Sequence, residues 1–525
     1  RDDVISRICE LINIDPETAR EKVASAGWSS YQPVEIRSGV PFIIITRISE
    51  RIEQFPGITW NSKPLRNYLD IGSMSHIIGY VGDISAEELQ VLYNKGYDRN
   101  ATIGKSGIEK EYDMLLRGTN GLRYRTVDVQ GRSVETEGVS DVPPVNGQNL
   151  VLTIDKDIQE LAEEALGPRM GAVVVLKPST GEILAEVSYP WYDPNVFYTF
   201  DSATRLGELS LDRRNPFLNR AIQSAAAPAS TFKVIMTAAL LEEELFDPSQ
   251  KVTCTGSFTL GNRTSSCHKK TGHGPLDLAG ALAESCNVYF WTIGTQYLKI
   301  DVISKYARIF GFDQKTGIDL PNEIRGLVPD PDWKQNTLNT PWVGGDTMNV
   351  SIGQGDLLVT PIQMANMAAM IVNEGVVYKP HFIKEVRDPV SGMVSETVEP
   401  EILRTSEIST KTFKTLKQNM RGVITQGTAN VIITTKAVDI AAKTGTGEVG
   451  KESNFSSWFV SFGPWDAPPE DQVVVVTKVD SSNNWEWWAP KAANIIYQGI
   501  FADEDYDQSL RSLNWMWMKN PPDWE

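Results

Sequence analysis

The sequence predicts an α+β protein: a loop-rich, mixed N-terminal region (residues 1–147) followed by a larger domain in which a sheet is flanked by helices. Three observations lead there. Strand-like runs at 172–187, 458–463 and 473–478 bracket a long helical middle. The stretch Val142-Pro143-Pro144-Val145-Asn146-Gly147 carries linker chemistry. A chain of 525 residues has room for two or more domains and a sizeable core.

In chain order, Asp15-Pro16-Glu17 puts an N-cap before a proline at the first helical position, and Ser85-Ala86-Glu87-Glu88 spells a capping box. Gly104-Lys105-Ser106 invites a phosphate-loop reading, but that loop needs a glycine where Arg99 stands, so the reading fails. After the linker, Leu150-Val151-Leu152-Thr153-Ile154 opens the second domain as a strand. The run from Phe232 to Leu241 is apolar on nearly every side, which predicts a helix buried in a core. Val438-Asp439-Ile440-Ala441-Ala442 leads a strand into Lys443-Thr444-Gly445-Thr446, where Gly445 removes a side chain that would block a substrate lying alongside. There is no internal repeat or low-complexity tract.

Three short motifs follow one another: Ser230-Thr231-Phe232-Lys233, Ser285-Cys286-Asn287 and Lys443-Thr444-Gly445-Thr446. Together they describe a serine acyl-transfer site. A serine hydroxyl needs a base at hydrogen-bond distance and a further group to set that base. Residues three apart share a helix face, so Lys233 is placed to serve Ser230. A free lysine is protonated at neutral pH, but desolvation and a second cation, Lys443, lower its pKa. Ser230 would open its helix, with the positive dipole end where an oxyanion forms. Each fragment is weak alone: Ser266-Cys267-His268-Lys269, Ser481-Ser482-Asn483, Lys270-Thr271-Gly272 and Lys315-Thr316-Gly317 repeat the patterns in polar or turn contexts. Only the set at 230, 285 and 443 gives a helix, a mid-chain turn and a strand in order.

On these motifs the sequence resembles the penicillin-binding protein and serine beta-lactamase superfamily, over nearly the whole chain. Ala172 to Ala185 looks like the first hairpin of the family's transpeptidase domain, followed by Tyr192-Asp193-Pro194-Asn195; Asn219-Arg220-Ala221, Gly353-Gln354-Gly355 with Thr360-Pro361, and Trp458-Phe459-Val460 also match. His76 to Gly82 and Ile103 to Glu109 resemble the non-catalytic pedestal of class B members, and the wording there and around Gly272-His273-Gly274 is most similar to the elongation-type group, penicillin-binding protein 2. One departure is Ala229, where the family commonly has glycine before the nucleophile; its methyl group is expected to tighten the turn without abolishing the site.

The resemblance implies a pedestal at 1–147, a transpeptidase domain at 148–505 (an antiparallel sheet flanked by helices, with an all-helical subdomain) and a C-terminal tail at 506–525. It implies a D,D-transpeptidase that cross-links peptidoglycan stem peptides during lateral wall elongation, is a target of beta-lactams, and needs no cofactor for catalysis. Ser230 would be the nucleophile and Lys233 its base. Ser285 and Lys443 would relay the proton to the leaving amine, and Asn287 would orient Lys233 and the substrate amide. Backbone N–H groups of Ser230 and Thr446 would form the oxyanion hole; Thr444, Gly445 and Thr446 would bind substrate, the two hydroxyls receiving its carboxylate. The expected partners are a membrane SEDS-family glycosyltransferase and an elongation scaffold, met by the pedestal. A beta-lactamase or carboxypeptidase would use the same motifs and deacylate with water, a beta-lactam sensor would stop at the acyl-enzyme, and an inert scaffold would turn nothing over.

Composition agrees. A net charge of −17 and a pI near 4.9 argue against nucleic acid and against docking on anionic lipid. No apolar run approaches the roughly 20 residues of a membrane span. Elongation-type members carry one N-terminal span, so the expectation is an ectodomain on the extracytoplasmic (periplasmic) face of the cytoplasmic membrane, its anchor outside this chain.

Three of the four cysteines crowd one region: Cys254, Cys267 and Cys286, with His273 between. One reading is a Cys254–Cys267 disulfide, plausible outside the cytoplasm and contributing about 3 kcal/mol, or free thiols. The other is a structural zinc site, since three thiolates and one imidazole complete a tetrahedral shell; some elongation-type relatives have a metal at this place. With Ser285 and Asn287 facing a cleft, Cys286 would face away, and a metal would hold the turn from behind. The tryptophans at 485, 487, 488, 515, 517 and 524 are read as packing a domain edge, with a cleft-rim role for the first group as the alternative. Asp503-Glu504-Asp505 is read as a solvated face.

Overall fold

The computed structural model describes residues 2–25, 34–60, 66–99, 101–122, 124, 126–127, 133–134, 140–198, 202–449, 454–483 and 486–519. Its centre follows from strands that are apolar at consecutive rather than alternate positions. Ala172, Val173, Val174 and Val175 are all fully buried, as are Val474, Val475 and Val476, so the sheet they form must be covered on both faces. That sheet has five strands: β1 (Gly171–Leu176), β2 (Ile183–Tyr189), β3 (Ala441–Val449), β4 (Asn454–Gly463) and β5 (Val473–Ser481). Their order is β3-β4-β5-β1-β2, with every pairing antiparallel and β3 at one edge.

Alternation sends neighbouring side chains into two separate cores. Val173, Val175, Val187, Phe459 and Val475 pack with α1 (Lys156–Leu166) and α7 (Trp488–Ala502) on one side. Ala172, Val174, Trp458, Val460 and Val476 join the larger core, which holds α2 (Lys233–Glu243), α3 (Leu278–Ala283), α4 (Asn287–Thr292), α5 (Pro361–Val372) and α6 (Thr410–Thr425). Local chemistry fixes the helix starts. Asp155 accepts from the amides of Asp157 and Ile158 at the head of α1, and Thr360 forms a capping box with Gln363 while Pro361 occupies the first helical position of α5.

Upstream, helices Asp2–Ile12, Pro16–Ser25 and Phe42–Ser49 surround a small core of Val4, Ile5, Ile8, Cys9 and Ile48. The Asp15 cap and the Ser85–Glu88 capping box form as expected. Residues 66–112 are bound to the larger domain by polar contacts: Tyr68 N–H donates to Asn195 (3.0 Å), Ser73 to Glu163 (2.6 Å), Tyr192 to the Ser75 carbonyl (3.2 Å) and Tyr112 to Asp319 (3.0 Å). Ile77 and Ile108 enter the larger core.

Several expectations are refined. The strand expected at 150–154 spans Asn149–Leu152 and pairs with Ile383–Arg387, outside the five-stranded sheet. The lead-in 438–440 is not strand: the Asp439 carbonyl accepts from Trp465 N–H and the Ile440 carbonyl from Arg421, so these groups are used before β3 begins at Ala441. Trp488 and Trp515 do pack an edge, Trp487 and Trp517 remain 38% and 50% exposed, and Trp485 and Trp524 lie outside the described residues. The acidic patch is more than a solvated face: Asp505 caps Tyr506–Ser512 with Gln508, and Glu504 accepts from Gln498 and Ser512.

Candidate active site

The nucleophile turn is shaped by its neighbours. Ala227 carbonyl accepts from the indole N–H of the fully buried Trp458 (3.0 Å), Ala226 and Val359 exchange backbone bonds, and Ala229 N–H reaches the Gly353 carbonyl at 2.8 Å. Residues Ala229–Phe232 form one 3-10 turn, and the α-helix begins at Lys233. Ser230 therefore sits one turn ahead of α2 rather than at its first α-helical position. The tighter turn still brings residues three apart together. Lys233 Nζ lies 3.0 Å from Ser230 Oγ.

Lys233 is wholly buried and its remaining bonds come from the second motif. It donates to the Ser285 carbonyl (2.7 Å), to Ser285 Oγ (3.3 Å) and to Asn287 Oδ1 (2.6 Å). Ser285 reaches it with both oxygens because its backbone is left-handed, φ +54°, in the turn between α3 and α4. A non-glycine residue in that region costs of order 1 kcal/mol and is retained where the surroundings over-determine it. Ser230, Asn287 and Thr444 are half-buried and Thr446 is exposed, so the polar ends of all three motifs reach solvent while both lysines do not.

Burial sets the lysine chemistry. Desolvation lowers Lys233 to about 7, against a smaller upward pull from the Cys286 and Cys267 thiols. Lys443, on β3 opposite Val460 and donating to the Thr444 carbonyl at 3.1 Å, is held well below the usual lysine value by burial and then by the Lys233 charge. Burial is the largest cause of the lowering at both lysines, and the expected repulsion between them is felt at Lys443.

Gly445 also packs closely against the protein itself. A Cβ there would meet the Pro228 carbonyl at 2.9 Å and Thr231 Cγ2 at 3.0 Å. It faces the nucleophile turn, as Lys443 does two residues earlier, so its missing side chain lets β3 press against Ser230's turn. Beside it, Thr428 Oγ1 is 2.8 Å from Thr444 Oγ1, a partner that no motif flagged. The Lys315-Thr316-Gly317 repeat is a buried turn: Glu323 accepts from Thr316 N–H and hydroxyl and from Gly317 N–H.

Cys254, Cys267, His273 and Cys286 converge, with one ligand atom from each lying within 4.8 Å of all the others. All four cysteines of the chain are free thiols, so the Cys254–Cys267 disulfide is not formed; the fourth, Cys9, is in the N-terminal core. β-pairing sets Cys254 opposite Gly274 beside His273, and Cys286 is the N-cap of α4. The Cys267 and Cys286 thiols lie close together, and their mutual interaction favours ionisation of Cys267 and opposes that of Cys286. His273 Nε2 is buried without a partner, and its Nδ1 is 3.7 Å from Cys267 Sγ. Ligand atoms around a tetrahedral zinc stand about 3.8 Å apart, so the donor set and its spacing fit that ion.

Residues 171–501 match the family described as the penicillin binding protein transpeptidase domain, and residues 1–152 match the penicillin-binding protein dimerisation domain. The chain is 33% identical over 477 residues to the peptidoglycan D,D-transpeptidase MrdA of Acinetobacter baumannii, covering 88% of this chain and 70% of that one. The structure is similar to PBP2 of Helicobacter pylori solved in complex with MreC: TM-score 0.79, 27% identity, 95% of this chain and 91% of that one. It is also similar to penicillin-binding protein A of M. tuberculosis, solved as an imipenem acyl-enzyme: TM-score 0.65, 25% identity, 83% and 92% of the two chains.

Proposed function

Because this chain belongs to the penicillin-binding protein transpeptidases, we propose that Ser230, Lys233, Ser285, Asn287 and Lys443 carry out its reaction, the cross-linking of peptidoglycan stem peptides through a serine acyl-enzyme. The observation that carries the assignment is the wholly buried Lys233, in hydrogen-bond contact with Ser230, Ser285 and Asn287 at once.

Ser230 Oγ attacks the carbonyl between the two terminal D-alanines and passes its proton to neutral Lys233. The tetrahedral oxyanion is held by the backbone N–H groups of Ser230 and Thr446. Collapse breaks the C–N bond, and the proton travels through Ser285 and Lys443 to the departing D-alanine amine. A neighbouring stem's amine then attacks the acyl-enzyme and gives its proton to the same base, which returns it to Ser230 Oγ as the ester C–O bond breaks. Asn287 orients Lys233 and the substrate amide; Thr444 and Thr446 bind the terminal carboxylate, with Gly445 between them. Beta-lactams acylate Ser230 as mimics of the same amide. The chemistry needs no cofactor.

Cys254, Cys267, His273 and Cys286 would hold a structural zinc. A closed four-ligand site supplies no catalytic water and instead ties β-strand Val252–Cys254, the Gly274–Leu276 strand and the α4 cap together. We assign residues 1–147 as the pedestal, 148–505 as the transpeptidase domain and 506–525 as a C-terminal tail. The pedestal would engage a SEDS-family glycosyltransferase and an elongation scaffold; Phe42 and Ile43, 84% and 59% exposed on helix Phe42–Ser49, support a docking role. On this reading the chain works on the extracytoplasmic face of the membrane. Among the described residues no helix is long and apolar enough to cross a membrane.

Intact-mass analysis after adding benzylpenicillin, with Ser230→Ala as control, tests the assignment. A long-lived adduct absent from the variant is expected. An adduct lost within seconds would indicate a hydrolase, and none at all would overturn the open-site reading.

A further inference from the structure

The turn after α6 joins two catalytic motifs that are distant in sequence. Gly427 lies so close to α3 that a Cβ would meet the Ala283 carbonyl at 2.3 Å. That approach lets Thr428 N–H donate to the same carbonyl at 3.1 Å, two residues before Ser285. Ala429 N–H returns to Val423, and Asn430 Nδ2 closes the end of α6 on the Ile424 (3.1 Å) and Thr425 (2.7 Å) carbonyls. The turn is thus fixed on three sides. From it the half-buried Thr428 presents one hydroxyl, 2.8 Å from Thr444 Oγ1.

A pair of hydroxyls has one shared hydrogen and two directions. If Thr444 donates to Thr428, its proton is turned away from a ligand. If Thr428 donates to Thr444, the Thr444 O–H is free to donate to an anion, and a chain of donors ending on a carboxylate strengthens each member. We propose that Thr428 is a positioning residue for the substrate carboxylate, acting through Thr444: it donates to Thr444 Oγ1 and thereby aims the Thr444 hydroxyl at the anion. This rests on the acyl-enzyme reading above, in which Thr444 receives that carboxylate, and adds to it a residue outside the three motifs.

Thr428→Val keeps the β-branched shape and the N–H bond to Ala283 and removes only the hydroxyl. The expected result is a loss of about five- to tenfold in the second-order rate constant for acylation of Ser230 by benzylpenicillin, the size of one hydrogen bond, with the melting temperature unchanged. The loss is absent with benzylpenicillin carboxamide, which lacks the anion, measured at raised concentration. Thr428→Ala repeats the carboxylate-specific loss and Thr428→Ser restores the rate. Equal slowing of acid and carboxamide would reveal a merely structural role and overturn the proposal, as would no slowing or failure of serine to rescue. A wild-type protein that forms no adduct with benzylpenicillin would sink the acyl-enzyme reading itself, before any variant is compared.

Discussion

Lys233 Nζ lies 2.6 Å from Asn287 Oδ1, the shortest of its four bonds, and the pairing crosses 54 residues of chain. An amide oxygen accepts from lysine in either protonation state, so Asn287 holds the base in place without fixing its charge. The charge is left to burial, which brings Lys233 to about 7.

That value predicts the pH dependence of acylation. The neutral amine is the base, so the rate rises with pH through about 7: the neutral fraction grows from about a tenth at pH 6 to about nine tenths at pH 8. A stopped-flow profile of benzylpenicillin acylation should rise by roughly tenfold over that interval and then level. A flat profile would remove Lys233 from the role of base.

Gly445→Ala should slow acylation and destabilise the fold by comparable amounts. The added methyl meets the Pro228 carbonyl at 2.9 Å and Thr231 Cγ2 at 3.0 Å, so β3 and the Ser230 turn must separate by several tenths of an ångström. Displacements of this kind cost about 10–100-fold in rate, against about 1–3 kcal/mol of overpacking. Acylation kinetics and thermal unfolding of the same preparation separate the two effects.

Ala229→Gly should stabilise. Ala229 has φ +51°, a left-handed backbone beside the nucleophile, and its Cβ stands close to where a side chain at Gly447 would begin, 3.3 Å away. Relief of about 1–2 kcal/mol of backbone strain outweighs the extra chain entropy of glycine. A thermal shift upward of a degree or more, with the rate of adduct formation retained, is the expected result; a downward shift would show that the methyl packing is worth more than the strain.

Protein prepared without added zinc should carry about one equivalent of metal, with four thiols titrating after denaturation in chelator. Cys267→Ser should lose the metal and lower the melting temperature. Because Cys286 lies between Ser285 and Asn287, acylation should fall as well. Absence of zinc together with one disulfide would overturn the site.

What the sequence made legible was chemistry that lies within one turn or one strand. The i, i+3 spacing of Ser230 and Lys233 and the apolar run behind them were enough to place a buried base. The four-ligand cluster was visible because three cysteines and a histidine are rare in so short a span. The partners that tune the site were not visible. Trp458 reaches Ala227 across 231 residues and Thr428 reaches Thr444 across 16, and neither contact leaves a periodic or compositional trace. The close approach of Gly445 to the nucleophile turn was hidden for the same reason, since only the packed structure shows which protein neighbour stands where its side chain would be. Strand Asn149–Leu152 was recognisable as a strand, but its partner at 383–387 depends on long-range packing and not on anything local.

β3 ends its sheet, and among the described residues its one strand partner is β4. A peptide lying along the open edge is read through main-chain donors and acceptors that every residue type possesses. Point substitutions along the edge other than at Thr444 and Thr446, whose hydroxyls bind the carboxylate, therefore exchange side chains while leaving this main-chain surface in place. An antibiotic that borrows this surface cannot readily be refused without also refusing the natural stem, so escape by substitution has to work through the supports of the edge, the turns and caps that set its distance from Ser230, where small shifts trade inhibitor against substrate by degrees.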